Sequence, residues 1–462
     1  MKSITESLAK FITNTSSKTI PLNVINYTKT LAFDSIGTLV AATHPKVTSG
    51  KLITEFVESQ GGVNEASIIG KKIKVGIVNA VLVNSTLGYA CDMEPHHPEA
   101  ILHPMAVVFP TSLSICEAYN LKGYDLLIAT ALGCEIIYRI SMSMDPKKLY
   151  ELGFHPSAIC GTFGAVASAA YLLNINTEQT IKALGLAALQ TSGLMAWEDD
   201  PKEDARPFQM GIAARNGVTA TLLAKNNFGG PDRIFDGGHN VFKAFSRSYS
   251  TKPMIDKLGL SWDGVMKLAI KPYSCVSFLH PALDALDKLL LENNLKSSDL
   301  DNIILSFPSS GSHCIDNNPL KSHCAQYILP VFAVHGKLEF LDLFEDHRKN
   351  NPEISRLSNS TIVVPDHNKL EKLFPKFYAC EVTLKLKNGK QFSKSSKIAR
   401  GYPESPLTED EIITKFNNLV KSVLNKKECD KLFEISRNIV DASNVNNLVN
   451  LLSNINSDRY KY

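Results

Sequence analysis

The sequence offers no CxxC pair. Its nine cysteines, Cys91, Cys116, Cys134, Cys160, Cys275, Cys314, Cys324, Cys380 and Cys429, are odd in number and irregularly spaced. That argues against a disulfide framework, a zinc ribbon and an aconitase-type iron–sulfur cluster, which need paired or regularly placed thiols. A reducing cytoplasm is the simpler setting. HExxH is missing and no Cys/His spacing repeats, so no metal is expected. Neither sign of charge dominates: 49 Lys and Arg face 46 Asp and Glu, a formal +3. That balance excludes a polybasic nucleic-acid binder or membrane anchor. Met1 to Ser16 carries Glu6 and Lys10 and lacks the apolar core of a secretory signal, so export is not expected. The longest uncharged run, Pro156 to Thr177, is rich in Gly, Ala and Ser and has no companion span. It reads as a buried helix whose small residues let neighbours approach closely, not as a membrane segment.

What is present is the composition of a folded protein, 44% apolar and 21% charged over 462 residues. At roughly 150 residues per domain the length allows about three domains, or one large core with a satellite. Residues 1–268 read as predominantly helical: Ser3 and Glu6 have capping-box spacing, and Val24, Tyr27, Leu31, Ile36 and Leu39 keep helical spacing. Val78 to Tyr89, Ser112 to Tyr119, Asp125 to Ser141, Ile181 to Met195 and Ala213 to Lys225 continue in that style. Residues 269–404 change character. Asn302 to Phe307 and the alternating Val382, Leu384 and Leu386 before Asn388-Gly389 predict strands, with helices over Pro281 to Asn293 and Ala325 to Val334. Thr408 with Glu411 caps a helix that begins residues 405–462. The predicted fold class is mainly α with a smaller α+β domain.

Three places concentrate chemistry. Asp92, Glu94, His96, His97 and Glu99 lie with His103 in a Pro-punctuated loop after an apolar helix. A solvated loop is the bland explanation; general acid/base work is the sharper one, ahead of metal binding. His155 precedes Pro156 at the head of the Gly/Ala-rich helix, where positive potential favours neutral imidazole. A structural histidine before proline competes with that reading. Lys271, Tyr273 and His280 sit where helical character gives way to mixed α/β, a favoured position for a cleft, although a snorkelling lysine is the alternative. Arg206, placed between two helices, offers a fork for an anion.

In the order and spacing of several stretches the chain resembles the MmgE/PrpD family nearly end to end. The stretches are Val83-Asn84-Ser85-Thr86 leading into Asp92 and His103-Pro104; Gly153-Phe154-His155-Pro156 with Gly161-Thr162-Phe163-Gly164; Gly211 to Gly217; Lys271-Pro272-Tyr273; and Gly401 through Phe416. The resemblance implies a large helical domain with a small α/β lid, C-terminal helices returning to the former, a homodimer, and chemistry without cofactor. It puts catalytic roles on Asp92, His103, His155 and Lys271, and a further histidine on His280. Two departures stand out: Arg206 where many members have lysine, which leaves a carboxylate clamp but no proton donor, and Glu94, Pro95 and His96 where Asp-Asp-Thr is usual. The long spacing to His103 looks more like fungal cis-aconitate decarboxylases than the animal ones.

The expected function is proton transfer next to a carboxylate of a tricarboxylate, aconitate foremost, by isomerisation or decarboxylation. Methylcitrate dehydration is the alternative, and a non-catalytic tricarboxylate-binding dimer the reading from another class. In this scheme Lys271, Arg206, His97, Tyr273 and His280 hold the anion while His103 and His155 exchange protons beside Asp92.

Overall fold

The computed structural model describes residues 3–455, and the chain is mainly helical with a smaller α+β part. Among the described residues two large hydrophobic cores form, with a small third cluster of Met195, Trp197 and Leu320. One runs from Leu8 to Ile270 and resumes from Phe416 to Ile455, with Phe340 reaching into it; the other runs from Ala269 to Tyr402.

At the centre of the larger core lie the helices Gly123–Ser143, Pro156–Leu172 and Ala205–Lys225. Every residue of Pro156–Leu172 except Tyr171 is buried. The close packing has a visible cause at Gly217, where an added Cβ would stand 2.4 Å from the Thr162 carbonyl oxygen. Among the described residues Gly123–Ser143 is the one helix long and apolar enough to cross a membrane, and 89% of its apolar window is buried inside the protein.

Prolines set where several helices begin. Pro104 and Pro156 occupy the first turns of Pro104–Ala118 and Pro156–Leu172, so His103 and His155 become the N-cap residues. A proline there has its φ preset and gives up only an N–H that the helix leaves unpaired anyway. The sequence pair His-Pro therefore fixes both imidazoles at helix entrances.

The smaller part is a four-stranded sheet ordered Thr361–Asp366, Leu300–Pro308, Cys380–Leu386, Gln391–Ser396. The first pair is parallel and the others antiparallel. Gly389, with φ +82°, makes the predicted hairpin turn.

Several expectations need correction. Ser3 is an N-cap without a side-chain cap bond; the Asp236 carboxylate accepts from Ile4 N–H at 3.0 Å instead. The helix expected to run to Met195 stops at Ala188, and Met195–Asp199 is a separate short turn. Arg206 lies inside a helix starting at Ala205, eight residues before the expected Ala213, and not in a loop. The strand Thr361–Asp366 is a further element, with Pro365 on an edge that pairs on one side only.

The two parts join where Ile270 N–H donates to the Gly401 carbonyl at 2.9 Å. Gly401 has φ +87°, and a Cβ there would meet the Ile270 oxygen at 2.0 Å. The helix Glu409–Val420 then brings Lys415 back to Asp34 (2.7 Å) and to the Met93 carbonyl (2.8 Å), both deep in the larger core.

Candidate active site

Between the two parts lies a small cavity of about 40 Å³. Its floor includes Tyr89, His96, Ile101, His103, His155 and Trp197; its roof includes Ser277, Phe278, His323 and Tyr378 from the smaller part. At roughly 10–15 Å³ per water it holds about three waters. Ligand pockets usually run to several hundred Å³, so this cavity is small beside them.

The His103 imidazole donates from Nδ1 to Glu94 Oε1 at 2.6 Å, leaving Nε2 with the lone pair. His155 donates from Nδ1 to Gln209 Oε1 at 3.2 Å, and Gln209 is itself oriented by donating to the Leu194 carbonyl at 2.6 Å. The two ring centres lie 6.4 Å apart, with Tyr89 beside both. Burial, aided by Lys271, lowers the basicity of His103 although Glu94 opposes it. Burial, aided by His103, pushes His155 down to about 3. Both are neutral imidazoles near pH 7, each with one nitrogen anchored and one available to exchange a proton.

Behind this wall lies a buried ionic chain. Lys271 Nζ donates to Asp92 Oδ1, and to Glu94 Oε1 at 3.1 Å. Arg206 Nη1 lies 3.5 Å from Asp92 Oδ1, its Nη2 donates to Glu203 Oε2 at 3.2 Å, and its guanidinium packs 4.5 Å from the Tyr89 ring centre. Burial opposes the charge on Asp92, but Lys271 and Arg206 outweigh it and hold the carboxyl well below its ordinary range. Burial likewise opposes the charge on Lys271, and Asp92 with Glu94 overcomes it and raises the ammonium.

Backbone strain gathers here too. Asp92 (φ +53°), Ile101 (φ +51°) and Glu203 (φ +61°) all sit in the left-handed region, which β-branched Ile101 strongly disfavours. Unpaired buried atoms include Asp92 Oδ2, Glu94 Oε2 and both ring nitrogens of His96. Strained backbone and unsatisfied polar atoms mark functional sites more often than scaffolds.

Five residues singled out from sequence, Asp92, His103, His155, Arg206 and Lys271, come together. Only the two histidines line the cavity; Lys271 and Arg206 are 0% and 1% exposed and face carboxylates of the chain itself. Three candidates are turned elsewhere. His97 accepts the Ala100 N–H, lies against the Asp263 carbonyl and stacks on Tyr138. Tyr273 donates to Asp284 (2.8 Å) and accepts from Arg400 (2.9 Å), while His280 is bonded to the Cys275 carbonyl. Sequence reasoning missed Tyr89, Trp197 and His323. The aromatics carry no local signal beyond their size, and His323 belongs to a turn 220 residues after His103 with nothing around it to mark it. Among the described residues the grouping close enough to hold a metal is His335, Asp342 and His347, none of which lines the cavity.

The site thus sets two N-cap histidines of the helical part over a buried Lys–Asp–Arg chain and against the smaller α+β part. The MmgE/PrpD N-terminal domain matches residues 6–254 and the MmgE/PrpD C-terminal domain residues 273–440. The chain belongs to the MmgE/PrpD family. It is 24% identical to a cis-aconitate decarboxylase-like protein, oryM, of Aspergillus oryzae, covering 97% of each. It is 24% identical to a cis-aconitate decarboxylase of Aspergillus terreus over 97% of this chain and 96% of that one. The human cis-aconitate decarboxylase is 25% identical over 98% and 95%.

Proposed function

We propose that the protein is a lyase that decarboxylates cis-aconitate by proton transfer between imidazoles. The observation that carries the reading is the pair His103 and His155, each anchored through Nδ1 with Nε2 unpaired, on the wall of one cavity. The names of the full-length relatives point to the same substrate.

Loss of carbon dioxide breaks a carbon–carbon bond and leaves its electron pair on an allylic system conjugated to a remaining carboxylate. One proton, taken up from solvent and passed on by His103 or His155, then completes the five-carbon product. Closure of the lid excludes water, which strengthens every charge interaction around that state. Lys271, Asp92 and Glu94 act as positioning residues: the ammonium fixes Glu94, and Glu94 fixes the His103 tautomer.

Proton NMR in deuterated buffer with cis-aconitate, trans-aconitate, citrate and 2-methylcitrate in turn tests this. Itaconate and carbon dioxide are expected from cis-aconitate. Interconversion of the aconitates with six carbons kept would replace decarboxylation by isomerisation, and loss of water from 2-methylcitrate would replace it by dehydration. Inertness of all four acids would remove the substrate assignment. A homodimer is part of the same proposal, supported by the exposed apolar group Leu52, Phe56 and Phe208 beside the loop leading to Arg206.

A further inference from the structure

The helix Ala325–His335 of the smaller part and the loop after it hold a second group of chemistry-bearing side chains, away from the cavity. His335, Asp342 and His347 bring a ring nitrogen, a carboxylate oxygen and another ring nitrogen within 4.8 Å of one another. His347 Nε2 lies 2.8 Å from Asp342 Oδ1, and the two imidazole centres are 5.0 Å apart. The Asp342 and His347 side chains are 14% and 18% exposed, whereas His335 stands open to solvent. No spacing in the sequence marks them, because they come from a helix end, a tight turn and the start of a short helix.

The surroundings hold this group in place. Asp342 is oriented through its other oxygen, since Oδ2 accepts the Glu339 N–H at 2.7 Å. The buried Tyr327 phenol shares its proton between the carbonyls of Asp342 and Glu345, each at 2.6 Å, and Lys321 donates to the Leu343 carbonyl at 3.0 Å. Those bonds fix the backbone between the carboxylate and the second histidine. His335 is the last residue of its helix, and Gly336, with φ +70°, turns the chain back. A helix C-terminus carries partial negative charge, which favours a cation beside His335. The cations on the flanks are already paired, Lys337 with Glu339 and Arg348 with Asp346, each at 2.9 Å.

We propose that His335, Asp342 and His347 bind one divalent transition ion of the zinc class, and that the ion ties the end of the helix to the loop by which the smaller part meets the larger. Two imidazoles and one carboxylate suit zinc, cobalt, nickel or copper; magnesium and calcium prefer oxygen donors throughout. Donors around one tetrahedral zinc stand about 3.3 Å apart, so His347 Nε2 and Asp342 Oδ1 part by roughly half an ångström. His335, exposed at the end of its helix, has the freedom to close in. Three protein ligands leave the fourth position to water, which makes the ion exchangeable. The same loop carries Phe340, buried in the larger core, and Glu345, paired with Lys46 of the larger part. With the ion at one end and those contacts along it, the loop holds the smaller part more firmly on the larger.

The test is calorimetric titration of chelator-treated full-length protein with zinc chloride, with magnesium chloride as the comparison. One zinc ion per chain is expected, and no magnesium at the same concentrations. H335A and H347A should each bind at least about tenfold more weakly, since losing even a group that only orients a ligand costs roughly 10–100-fold. Without zinc the melting temperature of H335A should match the parent's, which separates a lost ligand from a damaged fold. Zinc should also slow hydrogen exchange at the amides of residues 336–347 in the parent and leave H335A unchanged. No zinc binding by the parent, or equal binding by the parent and both variants, overturns the site. Magnesium bound as tightly as zinc overturns the ligand set. Zinc binding with exchange in 336–347 unaltered overturns the tie between helix and loop. None of these measurements reads turnover, so each outcome is independent of the decarboxylase proposal.

Discussion

His103 and His155 reach one cavity by one device, a proline in the first turn of the following helix, and they are the residues through which activity is most directly tested. Replacing either with Asn keeps a polar group of similar width but removes the exchangeable proton, and a 10²–10⁴-fold fall in kcat is expected. Lys271 behaves differently because it does not touch the cavity. K271M strips Asp92 and Glu94 of their cation in a fully buried place and should cost about 3–5 kcal/mol of stability, read by urea denaturation, besides its effect on turnover. A loss of activity at unchanged stability would instead make Lys271 a group that touches substrate. Asp92, His103, His155 and Lys271 were legible because polar and basic types stand beside prolines and glycines at intervals that also carry the family resemblance. His97, Tyr273 and His280 have the same chemistry, but each found a local backbone or carboxylate partner, and no sequence pattern tells a satisfied side chain from an available one.

At the scale of elements, helices and the hairpin were readable from periodicity and turn residues, whereas their ends were not. The Arg206 helix begins early, with Arg206 and Pro207 buried in its first turn, where a proline gives up no helical hydrogen bond. The edge strand Thr361–Asp366 alternates buried Thr361 and Val363 with exposed Ile362 and Val364, a pattern blurred in sequence by apolar residues on both faces. The helix Glu409–Val420 is tied down by Lys415 on Asp34. D34A leaves the Lys415 ammonium buried without its carboxylate, and a loss of about 3–5 kcal/mol is expected. Adding K415M should recover part of that loss, which a double-mutant denaturation cycle would show as strong coupling.

For the whole molecule, burial of histidine makes acid the vulnerable direction. His96, His97, His103, His155, His280 and His323 are all held below their ordinary basicity, His97 near 4 and His155, His280 and His323 near 3, with burial the leading cause. The unfolded chain takes a proton on each near pH 6.5 and the folded chain does not, so acidification from about 6.5 towards 4 favours unfolding. Each such histidine adds up to about 1.4 kcal/mol per pH unit in that window. Asp92 acts with the same sign, since its depressed carboxyl lends stability that is lost as pH falls through its folded value. Melting temperature should therefore drop steeply below pH 6, and a flat profile from pH 7 to 5 would contradict the assignment. F56E, on the exposed apolar group, should convert a dimer to monomers in sedimentation with the melting temperature at neutral pH little changed.

The two crossings between the parts lie against each other at Ile270 and Gly401, joined by a hydrogen bond and too tight for any side chain at Gly401. Residues 271–400 therefore leave and re-enter the larger part at one point, while Phe340 and Tyr378 reach back into it elsewhere. Transplanting that segment between two members of the family would exchange the roof, Ser277, Phe278, His323 and Tyr378, while His103 and His155 stay in place below. Diversification by lid exchange would thus carry Lys271, and with it the hold on Glu94, along with the roof.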